Sequence, residues 1–279
     1  MSIKNKSLFM KYLNKILPVA ILAATMIPFA SCDKDNDSDG GAIPGGKQLA
    51  KVTYVNVEER LDNGDWMTED YNENGTEIIW SGNRVTAFRS IGSGESEEQT
   101  FSYDSKGHIT QVTGPDGTYT PTYDENGRIV KTTRKRVRED GEQREVYYTY
   151  TYNSSGNIIK LYVTRSYNSN WEKYSYTWEN GNVVQIDEEE FYDGYTYSFS
   201  DTLTYDNKVN FYSCLPTDVL LASGGNFGPY LSRNNILDEE ETYTYSGDYL
   251  VKREYIYESG TRRRIQTTYI EYTDGTGRR

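Results

Sequence analysis

Cysteine and histidine are scarce in the 279-residue sequence, and their scarcity excludes several kinds of catalytic and metal site. The chain has two cysteines, Cys32 and Cys214, and a single histidine, His108. Zinc sites and histidine-based triads require more of these residues than the sequence supplies. His108 takes a place that Arg128 and Asn157 fill in similar segments, so we interpret it as a polar residue beside a turn. No cofactor is expected.

Positive charge and apolar residues are also limited. The 30 Lys and Arg residues face 42 Asp and Glu residues, which gives a net charge of −12 and argues against binding to nucleic acid. Hydrophobic residues make up 35% of the chain, and 27 of them are tyrosines. Alternating Tyr and Thr patterns with frequent turn pairs are typical of β-strands and argue against coiled coils, helical bundles and disorder. We therefore predict an all-β protein.

The first 31 residues have the pattern of a signal peptide. Four lysines precede an apolar stretch at residues 16–30, which is too short to span the roughly 30 Å of membrane hydrocarbon comfortably. The segment ends in Phe29-Ala30-Ser31-Cys32. This ending resembles the bacterial lipobox, whose cysteine is diacylated and becomes the new N-terminus, so we predict lipidation of Cys32. After cleavage, 26 basic and 42 acidic residues leave a net charge of −16, and Cys214 has no intrachain disulfide partner.

An acidic, glycine-rich tether is expected over residues 32–50. Its acidic run at residues 33–41 resembles the surface-export tag of lipoproteins from certain Gram-negative gut bacteria, which implies the outer face of the outer membrane. Calcium binding is an alternative, because the aspartates and glycine within residues 35–40 match the opening positions of an EF-hand loop. Gly46, however, stands where that loop needs a bidentate Glu, so the solvated tether is preferred.

A short unit recurs from about residue 51 onwards. Its copies combine an aromatic residue, Asp or Asn, two polar residues, Gly, a polar residue and β-branched residues; they start at Tyr103, Tyr123, Tyr152 and, one residue shorter, at Trp178. The Asp or Asn side chain accepts a backbone hydrogen bond and the Gly supplies a positive φ, so each unit closes a hairpin. The spacing predicts about 14 to 18 strands, joined as an antiparallel meander in one domain over residues 51–279.

Other turn signals refine the expected strand register. Asn-Gly and Asp-Gly pairs predict tight turns at Asn63-Gly64, Asn74-Gly75, Asp116-Gly117, Asp140-Gly141, Asp193-Gly194 and Asp274-Gly275. A two-residue turn at Asp140-Gly141 would pair Arg136 with Glu145. The basic run at residues 134–138 is therefore interpreted as a solvated strand face.

Residues 206–238 break the hairpin rhythm. They contain an apolar stretch at residues 215–222 with the pattern of a short helix that has Thr217 as its N-cap. Glycines and a second apolar patch follow. We predict that this insertion forms a plug or lid against the sheet.

Aromatic residues on the strands supply the candidate binding site. The densest group, in which rings could stack on sugars, is Trp171, Tyr174, Tyr176 and Trp178. Alternatively, these rings pair across strands and only stabilise the sheet. The acidic runs at residues 188–190 and 239–241 could supply the two carboxylates of a glycosidase, although charge runs are usually solvated. Cys214 is interpreted as a small buried residue.

The units at Tyr103 and Tyr123 resemble YD repeats. Together with the signal, the acidic run, the meander and the stretches 205–212 and 232–236, they make the chain similar to a family of gut-bacterial surface lipoproteins. That resemblance implies a domain of unknown function with a porin-like β fold, in which the sheet curls into a barrel-like shape. A true outer-membrane barrel is the alternative. The lipobox and strand faces rich in Tyr, Thr and charge argue against it.

We therefore expect a lipid-anchored protein on the exterior of the outer membrane that acts as a non-catalytic binding module, with glycans as the foremost ligand class. A structural or accessory subunit of an outer-membrane complex is the alternative, and a glycan-acting hydrolase is third. The expected partners are the membrane lipid and a glycan or a surface protein.

Overall fold

The structure, a computed structural model, describes residues 46–92, 97–225 and 228–274. The predicted signal peptide, Cys32 and most of the tether lie outside these residues. Within them, the chain forms seventeen β-strands, one α-helix and two 3-10 helices. The strands are β1 (Lys47–Asp62), β2 (Asp65–Ser81), β3 (Arg84–Gly92), β4 (Glu98–Tyr103), β5 (Ile109–Gly114), β6 (Gly117–Tyr123), β7 (Ile129–Val137), β8 (Gln143–Tyr152), β9 (Ile158–Arg165), β10 (Trp171–Glu179), β11 (Asn182–Tyr192), β12 (Tyr195–Thr202), β13 (Thr204–Val209), β14 (Asn234–Leu237), β15 (Glu241–Ser246), β16 (Tyr249–Ser259) and β17 (Arg262–Asp274).

The strands form one large, mostly antiparallel sheet, as the all-β prediction of 14 to 18 strands requires. Strands β1 to β12 pair with their sequence neighbours, and β1 also pairs with β17, which continues the ladder through β16 to β15. Strand β13 pairs with β14 and meets β16 through one parallel pair, Val209 and Tyr249. The pairings among the described residues do not close the sheet into a barrel.

The repeated units close their hairpins by the predicted mechanism. In the unit that starts at Tyr123, Asp124 Oδ1 accepts hydrogen bonds from the backbone N–H groups of Asn126 and Arg128, each at 2.9 Å. The N–H of Gly127 donates to the Asp124 carbonyl at 3.1 Å, with φ at +74°. A residue with a Cβ rarely adopts that backbone conformation, so the glycine is required by the turn.

The aromatic residue of each unit fastens its hairpin to the preceding one. Its side chain donates a hydrogen bond to the carbonyl of the apolar residue that opens the second strand of that preceding hairpin. The pairs in the four units are Tyr103 to Val85, Tyr123 to Ile109, Tyr152 to Ile129 and Trp178 to Ile158, at 2.6 to 3.0 Å. Tyr205, at the start of the stretch 205–212, makes the same contact with Val183 at 2.6 Å. We call these contacts the aromatic links. They explain why the units carry Tyr or Trp, which donate hydrogen bonds, at this position.

The insertion packs against the inner, concave face of the sheet. Its helix α1 (Thr217–Ala222) contacts β5, β6 and β7, while its flanking 3-10 helices contact β1 and β11. Strands so far apart along the ladder can meet one segment only if the sheet curls around it. The Leu221 carbonyl accepts hydrogen bonds from Thr132 Oγ1 at 2.7 Å and Tyr150 OH at 3.2 Å. The insertion is therefore a plug, and the barrel-like curl is confirmed.

The core lies between this plug and the inner face. Its fully buried members include the residues that open strands after the repeated turns, Ile109, Ile129 and Ile158, each no more than 1% exposed. The plug contributes Leu220 and Leu221, which are equally buried. The few apolar residues of the chain are thus concentrated where the plug meets the hairpins.

A second region has no core. Residues 55–73 of β1 and β2 and residues 255–266 of β16 and β17 extend as a four-stranded sheet, which we call the β arm, and none of its residues is buried. Ion pairs connect its strands. Arg263 bonds Glu59 at 2.6 Å and lies over the Trp66 ring at 4.7 Å, and Arg264 pairs with Glu58.

Two of the predicted turns differ from the structure, one in its existence and one in its length. Asn74 and Gly75 lie inside β2, where a Cβ on Gly75 would come within 2.3 Å of the Val52 carbonyl oxygen. This glycine therefore permits close contact between strands instead of a turn. At Asp140, the loop is longer than predicted, because the Arg138 N–H bonds the Glu142 carbonyl.

The longer loop shifts the register by one residue and corrects the prediction for the basic run. Arg136 faces Arg144, while Glu145 faces Lys135 and binds its Nζ at 2.9 Å. Arg134 points to the inner face opposite the buried Val146, so residues 134–138 do not form one solvated face.

Two boundaries also differ from expectation. Strand β1 begins at Lys47, inside the range expected for the tether, because it pairs with β17 from that residue onwards. Thr217 is the first residue of α1, and Pro216 occupies the N-cap without a side-chain hydrogen bond. A proline at that point fits the β conformation that precedes a helix.

Candidate functional site

The four aromatic residues singled out in the sequence lie on two different faces of β10. Tyr174 and Tyr176 point to the inner face and are 3% and 5% exposed. Trp178 shares that face and donates from Nε1 to the Ile158 carbonyl at 2.7 Å, as one of the aromatic links. Trp171 is an odd number of residues from Tyr174, so it points to the outer face. The predicted four-residue site is therefore wrong as a single surface, because strand alternation separates its members.

Three aromatic rings come together on the outer face. Trp171 on β10 stacks with Phe191 on β11 at 6.1 Å between ring centroids and 10° between planes. Tyr162 on β9 lies 6.0 Å from Trp171 and is 41% exposed. We call Tyr162, Trp171 and Phe191 the outer platform. Tyr147 on β8 lies in the same row of the sheet, because it faces Thr164, which in turn faces Trp171.

Polar groups border the outer platform in the next rows. Lys173 Nζ contacts both carboxylate oxygens of Glu189, at 3.0 and 3.1 Å. Beyond this pair, Asp187 Oδ1 accepts hydrogen bonds from Ser200 Oγ at 2.7 Å and Gln185 Nε2 at 2.8 Å. These hydrogen bonds lower the pKa of the Asp187 carboxyl. Aromatic faces beside fixed polar groups can hold a ligand that has an apolar face and a hydroxylated rim.

Sequence reasoning missed Tyr162 and Phe191. They belong to neighbouring strands, and their contact with Trp171 depends on the registers of two hairpins. The register places Phe191 directly opposite Trp171 and Tyr162 opposite Lys173. Counting alternate residues outward from each hairpin turn would have found them.

The aromatic residues on the inner face are buried and bonded to other residues of the protein. Burial raises the pKa of the Tyr174 and Tyr150 hydroxyls well above the usual range. Tyr174 OH donates to Glu172 at 3.0 Å, and Glu172 pairs with Arg165. The buried inner rings therefore fit the alternative interpretation from the sequence, in which they stabilise the sheet.

Other candidate residues have similarly local partners. His108 stacks on Tyr123 with 4.8 Å between ring centroids, as Arg128 lies over Tyr152 at 4.7 Å, so both reinforce an aromatic link. Cys214 is fully buried, and burial raises the pKa of its thiol to about 12, which disfavours the reactive thiolate. Glu188 is 4% exposed on the inner face. The expectation that the acidic run is solvated is therefore wrong for this residue.

The plug contains an acidic residue, Asp218, whose pKa is raised. Asp218 lies in the first turn of α1, and burial raises the pKa of its carboxyl to about 6, an effect that His108 opposes. Its negative charge helps to raise the pKa values of Tyr103, Tyr123 and Tyr152, three tyrosines of the aromatic links.

Across residues 46–92, 97–225 and 228–274, no group of three or more His, Cys, Asp or Glu side chains is arranged to hold a metal ion. In the same part of the chain, no helix is long and apolar enough to cross a membrane.

Parts of the chain are similar to known proteins. Residues 103–141 match the RHS repeat family. This stretch contains the units at Tyr103 and Tyr123. A porin-like protein from Bacteroides uniformis ATCC 8492 is a structural neighbour with 12% identity and a TM-score of 0.48, aligned over 81% of this chain and 96% of that one. No characterised protein sequence matches the chain at a significant level.

Proposed function

We propose that the protein is a non-catalytic binding module that holds glycans on its outer platform. The observation that carries this proposal is the stacked Trp171–Phe191 pair with Tyr162 beside it, on the face of the sheet that the plug leaves to solvent. Rings of this kind pack against the apolar face of a sugar, and the ion pair of Lys173 with Glu189 beside them offers a donor and an acceptor for its hydroxyls.

A glycan array with the purified protein, followed by calorimetry on the glycans that bind, tests this function. Substitution Trp171→Ala should weaken binding by more than about 1 kcal/mol, or roughly fivefold, because one stacking contact is lost. The thermal unfolding temperature should change little, because Trp171 lies outside the core. If Trp171→Ala binds as well as the native protein, the outer platform is not the site.

The same array separates this function from its alternatives. Absence of glycan binding together with capture of a defined partner subunit would support an accessory role in an outer-membrane complex. Hydrolysis of a bound glycan, abolished by a single carboxylate substitution, would make the protein a hydrolase.

Anchoring at Cys32 on the exterior of the outer membrane belongs to the same proposal. It is supported by the basic residues, the short apolar stretch and the small residues before Cys32. Metabolic palmitate labelling should mark the native protein and not Cys32→Ala, and protease treatment of intact cells should remove the exposed domain. Equal labelling of both proteins would contradict the anchor.

A further inference from the structure

The outer face around the platform differs in charge from the rest of this acidic chain. On the outer face of β7 to β11, the rows from Lys135 to Lys160 contain four lysines and three carboxylates. The lysines are Lys131, Lys135, Lys160 and Lys173, and the carboxylates are Glu145, Asp187 and Glu189. The chain as a whole has a net charge of −12. A local excess of positive charge therefore coincides with the only aromatic stack that crosses β9 to β11 on the described outer face.

Three of these lysines surround Tyr162. Lys173 faces it directly on β10, Lys160 lies two residues before it on β9, and Lys131 lies two strands away in the same row. Strand spacing of about 4.8 Å and a rise of about 3.4 Å per residue place their backbones within roughly 5 to 10 Å of the tyrosine. Extended lysine side chains of that reach can converge on one ligand group above the ring.

Two of the three amines form no direct ion pair within the described part of the chain, and Lys131 acts on Glu145 only by lowering the pKa of that carboxyl from a distance. Lys173 is already bound to Glu189. Among the residues that the structure describes, neither Lys131 nor Lys160 has a carboxylate within ion-pair distance, and Lys131 Nζ lies over the Tyr147 ring at 4.4 Å. Lys160 is exposed between Thr151 and Ser175 in its row.

The remaining outer-face residues near these lysines are hydroxylated. Thr149, Thr151 and Ser175 face the lysines across the strands, and Thr120 and Thr122 continue the hydroxylated face on β6. This hydroxylated face can bond sugar hydroxyls, and the nearest carboxylates on it, Glu145 and Asp187, already bind Lys135 and Ser200, respectively. The composition suits a ligand that is both saccharide and anion.

We propose that the outer platform selects acidic glycans, with Lys131 and Lys160 binding a carboxylate or sulfate of a sugar whose neighbour stacks on Tyr162 and Trp171. This inference rests on the proposed glycan-binding function and adds the ligand class. Lysine acts here as a point charge, so carboxylate and sulfate share the required chemistry.

Matched pairs of polymers test the ligand class. Polygalacturonate is compared with its methyl ester, and dextran sulfate with neutral dextran, by calorimetry with the purified protein. At least one anionic member should bind about tenfold more tightly than its neutral partner, and added NaCl should reduce that difference. The first pair reports on carboxylate and the second on sulfate, so the pair that shows the difference identifies the anion.

Substitution of the lysines locates the charge. The double variant Lys131→Gln with Lys160→Gln should lose most of the preference for the anionic polymer while keeping its unfolding temperature, because both amines are outside the core. Lys106→Gln is the matched control, since Lys106 is an exposed residue of the turn that begins at Asp104. The control should bind like the native protein.

Three results would overturn the inference. Equal binding of neutral and anionic partners, with Trp171→Ala still weakening both, would leave the glycan-binding function intact and remove the acidic preference. An equal loss in Lys106→Gln and the double variant would assign the preference to unspecific charge. If no polymer and no arrayed glycan binds, the proposed function itself fails, and the ligand class fails with it.

Discussion

The repeated hairpins of β4 to β11 and the β arm are both antiparallel sheet, yet different forces hold them. Each short hairpin places a buried β-branched residue in the core that it shares with the plug and fastens itself to its neighbour through an aromatic link. The β arm carries no buried residue and relies on ion pairs such as Arg264 with Glu58. Strand pairing alone is therefore compatible with two very different local stabilities.

The contrast has a physical cause. An aromatic link buries a ring and satisfies a carbonyl in one contact, so it combines apolar burial with a hydrogen bond. An exposed ion pair gains little, because water solvates both charges and salt screens them. The hairpins thus provide a rigid support for the outer platform, whereas the arm should open locally at a lower free energy.

The largest difference between the two regions should appear on truncation of an isoleucine. Ile129→Ala should lower the free energy of unfolding by about 2 to 5 kcal/mol, because it leaves a cavity against the plug. Ile256→Ala in the arm should change it by less than about 0.5 kcal/mol, because Ile256 is 47% exposed. Denaturant titration of both variants measures the contrast, and similar losses would show that the arm is as well packed as the hairpins.

A smaller effect should follow from the buried acid of the plug. Because folding raises the pKa of Asp218 from 3.8 to about 6, the folded state binds the proton more tightly than the unfolded state. The free energy of unfolding should therefore fall as pH rises from below 4 to above 6. Asp218→Asn should remove this slope and stabilise the protein by up to about 2 kcal/mol at neutral pH.

Thermal or denaturant unfolding over that pH range measures the slope. The control is Asp116→Asn, which alters an acid in the turn between β5 and β6, outside the plug, and should leave the slope in place. A slope that persists in Asp218→Asn would assign it to other groups.

Removing only the hydrogen bond of an aromatic link should reduce stability less than the loss of a core side chain. Tyr123→Phe keeps the ring but loses the bond of 3.0 Å to the Ile109 carbonyl. The expected cost is about 1 kcal/mol of unfolding free energy. Tyr257→Phe in the arm is the matched control, since Tyr257 is 48% exposed, and it should be neutral. Equal effects in the two variants would mean that the links do not distinguish the regions.

The smallest effect is expected for an ion pair of the arm. Arg264→Ala should cost less than about 1 kcal/mol, and added salt should diminish the loss further. Hydrogen exchange of the arm amides, compared between the native protein and the variant, measures this most sensitively. A large loss that salt does not change would indicate that the pair carries more of the arm's stability than its exposure suggests.

The hairpins were predictable because their signals are local. Asp124 and Gly127 are three residues apart, and both act within one turn, so their spacing predicts the turn directly. The register after Val137 was not predictable from Asp140-Gly141, because the length of that loop depends on how β7 and β8 pair. Gly75 resembled a turn residue in sequence, and only the proximity of Val52 in the neighbouring strand reveals its role.

The candidate site was predicted only in part, because most of its contacts depend on how the strands pair. Trp171 was identified, but strand alternation already places it on the face opposite Tyr174 and Trp178. Its partners Tyr162 and Phe191 come from adjacent strands, and their meeting depends on two registers at once. The aromatic links were missed because each joins two hairpins, so no single repeat contains both the donor and the acceptor.

The division between outer and inner aromatics is tested most directly by measuring glycan affinity and unfolding free energy side by side for Trp171→Ala and Trp178→Phe. Trp171→Ala should reduce affinity at least about fivefold with little change in stability, while Trp178→Phe, which removes the link to the Ile158 carbonyl, should cost about 1 kcal/mol of stability and leave affinity unchanged. Loss of affinity in Trp178→Phe together with native affinity in Trp171→Ala would contradict the assignment of binding to the outer platform.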